Sequence, residues 1–453
     1  MAATLGRSSV QVPKTALSRS EYERMRKDLL VTPVSGMQGF MPSFRVFEDR
    51  GHSICVPRHY YKGPVVTEWE PECFCKLDRL LFYGELKDSL RQPEAVQATL
   101  DACKTVGGGV LSLPTGYGKT TVGLYVACRL GYKTLVLTHK EFLMDQWIER
   151  IRHFVPEARI GRIQQATCDV EDKDIVVGMM QSICSKDYGP EAFRGFGTLL
   201  IDEAHHVSAP VFLRCMYRAN CPNVIGLSAT PYRKDGLSYV IEWFLGPIFF
   251  RIERENQAHV VVRVLPYDCP EYGLPPPTMA RTGNVNMAEV LGRVVEDTSR
   301  NKVLLECIRE LLKDHRTIMV LSERRNHCLF LHEQLKPHSG LYIGGMKQAD
   351  LKESENRKVI VATYSQANEG LDIPALDTMV FATPKSDIVQ AVGRILREGS
   401  SVVKTKMPLV IDVLDKYGVF YAQFNKRKKY YDRAGFIIKH PKDHGAAFSF
   451  VQE

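Results

Sequence analysis

The stretch Leu113-Pro114-Thr115-Gly116-Tyr117-Gly118-Lys119-Thr120 constrains this chain more than any other, because it joins an apolar run, Gly109 to Leu113, to a helical run starting at Thr121. A glycine-rich turn between a buried strand and a helix makes an anion cradle. Gly116 and Gly118 let backbone N–H groups close around phosphates, and the helix N-terminus adds its dipole. Lys119 can reach the outer phosphate oxygens and Thr120 offers a hydroxyl to Mg2+, while Pro114, Thr115, Tyr117 and Thr121 complete the lining. Leu113 stands where the general pattern has its first glycine.

Such a loop belongs to sheets of parallel strands joined by crossover helices, and the chain repeats that alternation. Strands are expected at Gly109 to Leu113, Thr134 to Thr138, Asp174 to Met179, Thr198 to Asp202 and Val224 to Ser228. A second series follows at Thr317 to Leu321, Val359 to Ala362, Thr378 to Phe381 and Leu409 to Val413, with a helix over Lys302 to Lys313. The expected fold class is α/β, with two doubly wound parallel-sheet domains in tandem. Prolines at 266, 270, 275, 276 and 277 mark an irregular connector between them, with a short strand near Val260 to Val264. Ahead of the first sheet a polar, loose arm leads into extended pieces at Phe44 to Phe47 and His52 to Pro57, around a turn at Asp49-Arg50-Gly51. At 453 residues and roughly 150 per domain, the expected division is an accessory module at 1–85, domains at 86–253 and 296–453, and a linker at 254–295.

Apolar residues make up 44% and charged residues 25%, which excludes wholesale disorder and fibrous repeats. The net charge of +8 suits a polyanion without demanding one. Twelve cysteines include no CxxC pair, so a zinc ribbon is not expected, and reduced thiols in an intracellular compartment are. Met1 to Thr15 has no apolar leader core, and no run of about 18 apolar residues occurs, so no membrane contact is expected. The cluster Lys426 to Lys429 reads as a solvated helix face.

Eighty-three residues after Lys119, the run Thr198 to Ile201 ends in Asp202-Glu203-Ala204-His205. Asp202 can hold Mg2+, and Glu203 can orient or deprotonate the water that attacks a γ-phosphate. Together with Lys119 and Thr120 the pair specifies hydrolysis of a nucleoside triphosphate. In the second series, Gln390-Ala391-Val392-Gly393-Arg394-Ile395-Leu396-Arg397 opens a helix that puts Arg394 and Arg397 on one face. Two guanidiniums so placed can cross to a second domain and neutralise charge on a transferring phosphoryl group.

These residues, taken in order over about Leu86 to Asp432, resemble the superfamily 2 helicases and translocases. Motif I is similar to Leu113 to Thr120, Ia to Thr134 to Trp147, Ic to Gly178 to Ser182, II to Asp202 to His205 and III to Ser228-Ala229-Thr230. Motif IV is similar to Ile318 to Arg324, V to Val361 to Asp372 with Gly370 and Asp372 toward the nucleotide, and VI to Gln390 to Arg397. The run Ser228 to Gly236 and the Ala-His ending of motif II resemble the XPB, RadD and UvsW-like branch. Val56-Pro57-Arg58 and Phe82 to Lys87 resemble the entry region of phage and large-DNA-virus helicases, the poxvirus-type transcript-release helicase included.

The resemblance implies RecA-like domains, ATP with Mg2+ as cofactors, and Gln390, Arg394 and Arg397 as catalytic partners of Lys119, Asp202 and Glu203. It implies an adenine-reading glutamine before motif I, where Gln92 is preferred over Gln97 although the spacing departs by two residues. It implies a backbone grip on one nucleic-acid strand, DNA favoured over RNA, by Thr138, His139, Gln181, Ser322 and Thr363. His205, Ser228 and Thr230 would couple that grip to the nucleotide. A monomer acting with transcription or replication machinery is expected, in the host nucleus or cytoplasm, or the virion, if the source is viral. The same motor motifs also suit a duplex translocase that strips transcripts, or an RNA helicase.

Overall fold

The computed structural model describes residues 3–5, 9–34, 42–67, 74–77, 80–206, 210–219, 221–232, 235–253, 259–268, 275–279, 283, 285–369, 373, 375–396 and 406–440. It divides into two units, 1–253 and 254–453.

The first unit opens with strands β1 (Ala3–Leu5) and β2 (Ser9–Pro13), helix α1 (Arg19–Asp28), and β3 (Leu30–Val31), β4 (Phe44–Arg45), β5 (Glu48–Asp49), β6 (Ser53–Pro57) and β7 (Val65–Thr67). Five of these make a sheet in the order β5-β6-β2-β1-β7. The loose arm expected at the N-terminus is therefore corrected. Ser9-Val10-Gln11-Val12-Pro13 alternates with period two, which puts Val10 and Val12 in the core at 1% and 0% exposure. The turn at Asp49-Arg50-Gly51 closes β5 onto β6 with Gly51 at φ +70°, a conformation that favours glycine. This small sheet shares one apolar core with the large sheet that follows, Val10 and Ile54 clustering with Leu199, Ile201 and Phe244. Arg58 Nη1 also donates to the Pro222 carbonyl at 2.7 Å.

The large sheet is built from α2 (Gln92–Val106), β8 (Gly108–Ser112), α3 (Lys119–Leu130), β9 (Thr134–Thr138), α4 (Glu141–Phe154), β10 (Ile160–Gln164), β11 (Thr167–Asp169), β12 (Ile175–Met179), α5 (Met180–Ser185), β13 (Thr198–Asp202), α6 (Pro210–Arg218), β14 (Asn223–Ser228), α7 (Ser238–Leu245) and β15 (Ile248–Arg251). Its strand order is β11-β10-β12-β9-β13-β14-β8-β15, parallel except for the β10–β11 edge hairpin. The middle strands are buried on both faces, which is why they read as unbroken apolar runs. Register brings Ser112 beside Ser228 and Leu227 beside Asp202, so the ends of β8, β14 and β13 form one continuous rim.

The second unit contains β16 (Val261–Tyr267), α8 (Met287–Glu296), α9 (Thr298–Lys313), β17 (Ile318–Ser322), α10 (Arg325–Leu335), β18 (Ser339–Tyr342), α11 (Gln348–Glu355), β19 (Val359–Thr363), α12 (Tyr364–Glu369), β20 (Thr378–Phe381), α13 (Val389–Ile395), β21 (Leu409–Asp415), α14 (Gly418–Ala434) and β22 (Ile437–Lys439). All pairs are parallel in the order β18-β19-β17-β20-β21-β16-β22. Both units thus carry the RecA-like doubly wound architecture. The short strand expected near Val260 to Val264 is β16, longer than expected and in register with all seven residues of β21, and the irregular connector is corrected in part because it also runs into the helix α8. Val260, Val262 and Val264 are buried there, and apolar burial outweighs the local proline signal. Among the described residues no helix is long and apolar enough to cross a membrane.

Candidate nucleotide and nucleic-acid sites

The loop after β8 turns at Pro114, whose carbonyl accepts from Tyr117 N–H at 3.2 Å, and enters α3 through Gly118. Gly116 and Gly118 hold φ of +91° and +76°, open to glycine and costly to other residues. A Cβ on Gly118 would stand 2.4 Å from Gln92 Nε2, so glycine is needed for contact as well as for conformation. Gln92 is buried under the loop, its Nε2 donating to Tyr117 O at 3.1 Å and its Oε1 accepting from Lys87 N at 2.9 Å. Gln97 lies on the exposed face of α2 and pairs with Asp101. Beside them the Arg91 guanidinium stacks 5.5 Å from the Phe250 ring centre.

Lys119 lies in the first turn of α3 with Nζ 4.0 Å from Glu203 Oε1 and 3.5 Å from the Leu113 carbonyl. Thr115, Thr120 and Thr121 are partly exposed around it. Asp202 ends β13 at 8% exposure, its Oδ2 accepting from the Trp147 indole N–H at 3.0 Å and its Oδ1 from Glu203 N at 3.0 Å. Burial pushes the Asp202 carboxyl above the usual range and the Glu203 charge adds to that; the Trp147 hydrogen bond and the neighbouring Lys119 ammonium oppose it. Glu203 adopts φ +47°, a left-handed backbone that costs about 1–3 kcal/mol in a residue with a side chain and is held by its surroundings. Its Oε2 is buried without a hydrogen-bond donor and lies 3.4 Å from His205 Nδ1. That same nitrogen is 3.3 Å from Ser228 Oγ, which accepts from Thr230 N at 3.2 Å.

A chain of polar contacts therefore runs Lys119, Glu203, His205, Ser228, Thr230 along the rim. The donor set fits a magnesium nucleotide: an ammonium and helix N-terminus for phosphate, Thr120 hydroxyl and Asp202 carboxylate for a hard cation, and an undersatisfied Glu203 oxygen for water. Trp147 was not singled out by the sequence for this role. A fully buried indole must find an acceptor for its N–H, and that requirement is the signal that points to Asp202.

In the second unit, α13 carries Gln390, partly exposed, and Arg394, 6% exposed, whose positive charge opposes the upward push that burial gives the Tyr342 phenol. Arg397, Gly370 and Asp372 lie outside the described residues.

Two family descriptions match this chain: the res subunit of type III restriction enzymes over residues 85–233, and the helicase conserved C-terminal domain over 300–399. A protein of Acanthamoeba polyphaga mimivirus that bears the name of an ATP-dependent RNA helicase is 30% identical over 450 residues, spanning 94% of this chain and 85% of that protein. The chain belongs to the superfamily 2 helicases. Another helicase by name, from invertebrate iridescent virus 6, is 27% identical over 80% of this chain and 84% of its own length. A protein of African swine fever virus, also named for RNA, is 25% identical over 72% of this chain and 69% of its own. Bacteriophage T4 UvsW covers 97% of this chain and 98% of its own at 19% identity and a TM-score of 0.39. The two helicase domains imply ATP hydrolysis and nucleic-acid binding.

The strand-contact candidates of this helicase separate by exposure. Thr138 and Ser322 are at 0% and His139 at 5%, whereas Gln181 is exposed and Thr363 partly so. Gln181 Nε2 donates to the His139 carbonyl, tying α5 to the end of β9. Thr138 Oγ1 rests 3.7 Å from Met179 Sδ, and Thr363 Oγ1 is 3.4 Å from Ser365 Oγ. Ser322 Oγ accepts from Arg324 N at 3.1 Å and lies 3.0 Å from His327 Nδ1, while His327 Nε2 lies 3.0 Å from Asn301 Oδ1. Asn301 Oδ1 can only accept, so Nε2 carries the proton and Nδ1 takes the Ser322 hydroxyl proton. That hydroxyl thus donates to His327 and accepts from Arg324, closing the turn from β17 into α10.

Proposed function

We propose that the chain is an ATP-dependent DNA helicase, in which hydrolysis at the β8–β13–β14 rim drives movement along one strand. The observation that carries this reading is the contact chain from Lys119 through Glu203 and His205 to Ser228 and Thr230. Lys119 and the α3 N-terminus bind the phosphates. Thr120 and Asp202 hold Mg2+, which when bound offsets charge on the phosphate oxygens. Glu203 positions the attacking water and takes its proton, a task suited to a carboxylate oxygen with no donor of its own. Arg394 and Arg397 supply positive charge to the transferring group. Gln92, bonded to Tyr117 O and Lys87 N, sets the loop and keeps a second amide hydrogen and a second oxygen lone pair with which to read the base.

Gln181 and Thr363, the accessible members of the predicted grip, contact strand phosphates, so binding is sequence-neutral and weakens with salt. Within that reading the first 85 residues are an accessory module to the domain at 86–253, the second domain starts near 254, and the site of action is intracellular. A second reading is an RNA helicase, because the mimivirus and African swine fever virus relatives carry that name. ATPase stimulation by single-stranded DNA, duplex DNA, RNA and forked DNA, with strand separation followed on the same substrates, tests both. DNA helicase activity requires stimulation and unwinding on forked DNA above RNA. Stimulation by duplex without unwinding assigns a translocase, and preference for RNA overturns the DNA reading.

A further inference from the structure

Trp147 stands where three elements of the ATP site meet. It lies on α4, the helix that begins just after Thr138, His139 and Lys140, and it is 2% exposed. Its only polar atom, Nε1, donates to Asp202 Oδ2 at 3.0 Å at the end of β13. Its ring also lies over Gly123 on α3, where an added Cβ would sit 3.5 Å from Cη2. The other Asp202 oxygen accepts from Glu203 N at 3.0 Å, so the two donors hold the carboxylate in one plane. A carboxylate at the end of a strand would otherwise rotate about its terminal bond, a broad and soft torsion.

We propose that Trp147 is a positioning residue for Asp202, whose indole N–H fixes the carboxylate in the orientation that binds the divalent ion of the ATP site. The proposal rests on the reading of Asp202 as the carboxylate that holds that ion. Donors that orient ligating groups contribute on the order of 10–100-fold to metal affinity, so their loss is measurable without turnover. A purely space-filling tryptophan contributes nothing of this kind. Phenylalanine keeps most of the apolar bulk and removes the N–H.

Binding of Mn2+ in the presence of ADP, followed by electron paramagnetic resonance on the full chain, tests this with Trp147→Phe and Asp202→Asn in parallel. The expected result is a loss of Mn2+ affinity of roughly tenfold or more in Trp147→Phe and a larger one in Asp202→Asn. In ATPase assays the ion concentration for half-maximal rate rises in Trp147→Phe, while KM for ATP at saturating ion stays within about twofold. Parent-like Mn2+ binding by Trp147→Phe beside weakened binding by Asp202→Asn overturns the role of the indole and leaves the site reading standing. Parent-like binding by Asp202→Asn overturns both.

Should Trp147→Phe not fold, the chain with Trp69→Phe and Trp243→Phe leaves Trp147 as the sole tryptophan. Mg2+ added with ADP then shifts its emission, and Asp202→Asn abolishes the shift. An emission indifferent to Mg2+ overturns the proposal.

Discussion

Charged groups inside the two units are satisfied to different degrees. On β21, Asp412 accepts from Arg427 Nε and Nη2 at 2.9 and 2.8 Å and from Tyr431 Oη at 2.8 Å. Three residues on, Asp415 accepts from Arg300 Nε and Nη2 at 2.6 and 2.9 Å, and Arg300 Nη1 reaches the Ala382 carbonyl at 2.8 Å. At the rim of the first unit, by contrast, Lys119 stays 4.0 Å from Glu203, and Glu203 Oε2 has no donor on a backbone with positive φ. A group with every hydrogen bond made has nothing left for a ligand and acts as scaffold. A buried group with bonds unmade is costly unless a ligand completes it, and that cost marks a site of reaction.

The sharpest way to break this contrast is to remove one member from each side. Lys119→Ala lowers nucleic-acid-stimulated ATPase by about 10³-fold, the scale of losing one electrostatic donor to a transition state, with little change in unfolding midpoint. ATPase at the parent rate would overturn the phosphate-loop assignment. Arg427→Met does the reverse, leaving Asp412 buried with only Tyr431 and costing about 3–5 kcal/mol in urea unfolding. Its activity is lost only where the unit unfolds.

A third test uses pH. Burial, with the Arg300 charge nearby, pushes His327 from 6.5 down to about 3. The unfolded chain then takes up a proton below pH 6.5 that the folded chain refuses. Stability from this group is therefore complete above 6.5 and is lost as pH falls toward 3, at a slope approaching about 1.4 kcal/mol per pH unit. His327→Gln should flatten that acid limb in denaturation followed against pH. An unchanged slope would show that other groups control it.

How much of this was legible depended on whether partners lay close in the chain. The loop Leu113 to Thr120 and the strands that end in it were readable because strands buried on both faces are continuous apolar runs and the motif is local. Edge strands such as β11 and β22 were not, since three-residue strands with little burial leave no apolar period to read. Lys426 to Lys429 read as a solvated face, and three of its residues are exposed, but Arg427 points inward at 1% because Asp412 lies 15 residues earlier on a buried strand. Trp147 entered the sequence reading only as the end of the stretch similar to motif Ia, because its acceptor is 55 residues away. At Ser322 the hydroxyl's partners, His327 Nδ1 and Arg324 N, lie within five residues, yet a strand-end hydroxyl reads the same in sequence whether it faces phosphate or closes a turn.

The smallest expected effect falls where the two kinds of polar group meet. Ser228 is at 0% exposure, like the scaffold residues, yet its hydroxyl lies between His205 on the reacting side and the Thr230 backbone on the other. If that hydroxyl transmits the state of the nucleotide, Ser228→Ala combined with Thr230→Ala should reduce unwinding more than ATP hydrolysis. A coupling of 1–3 kcal/mol corresponds to roughly 5–150-fold in the ratio of the two rates. The ratio, measured as base pairs opened per ATP consumed on one forked substrate, removes any common loss from misfolding. An unchanged ratio would make Ser228 scaffold, and the boundary between committed and poised groups would then fall at His205.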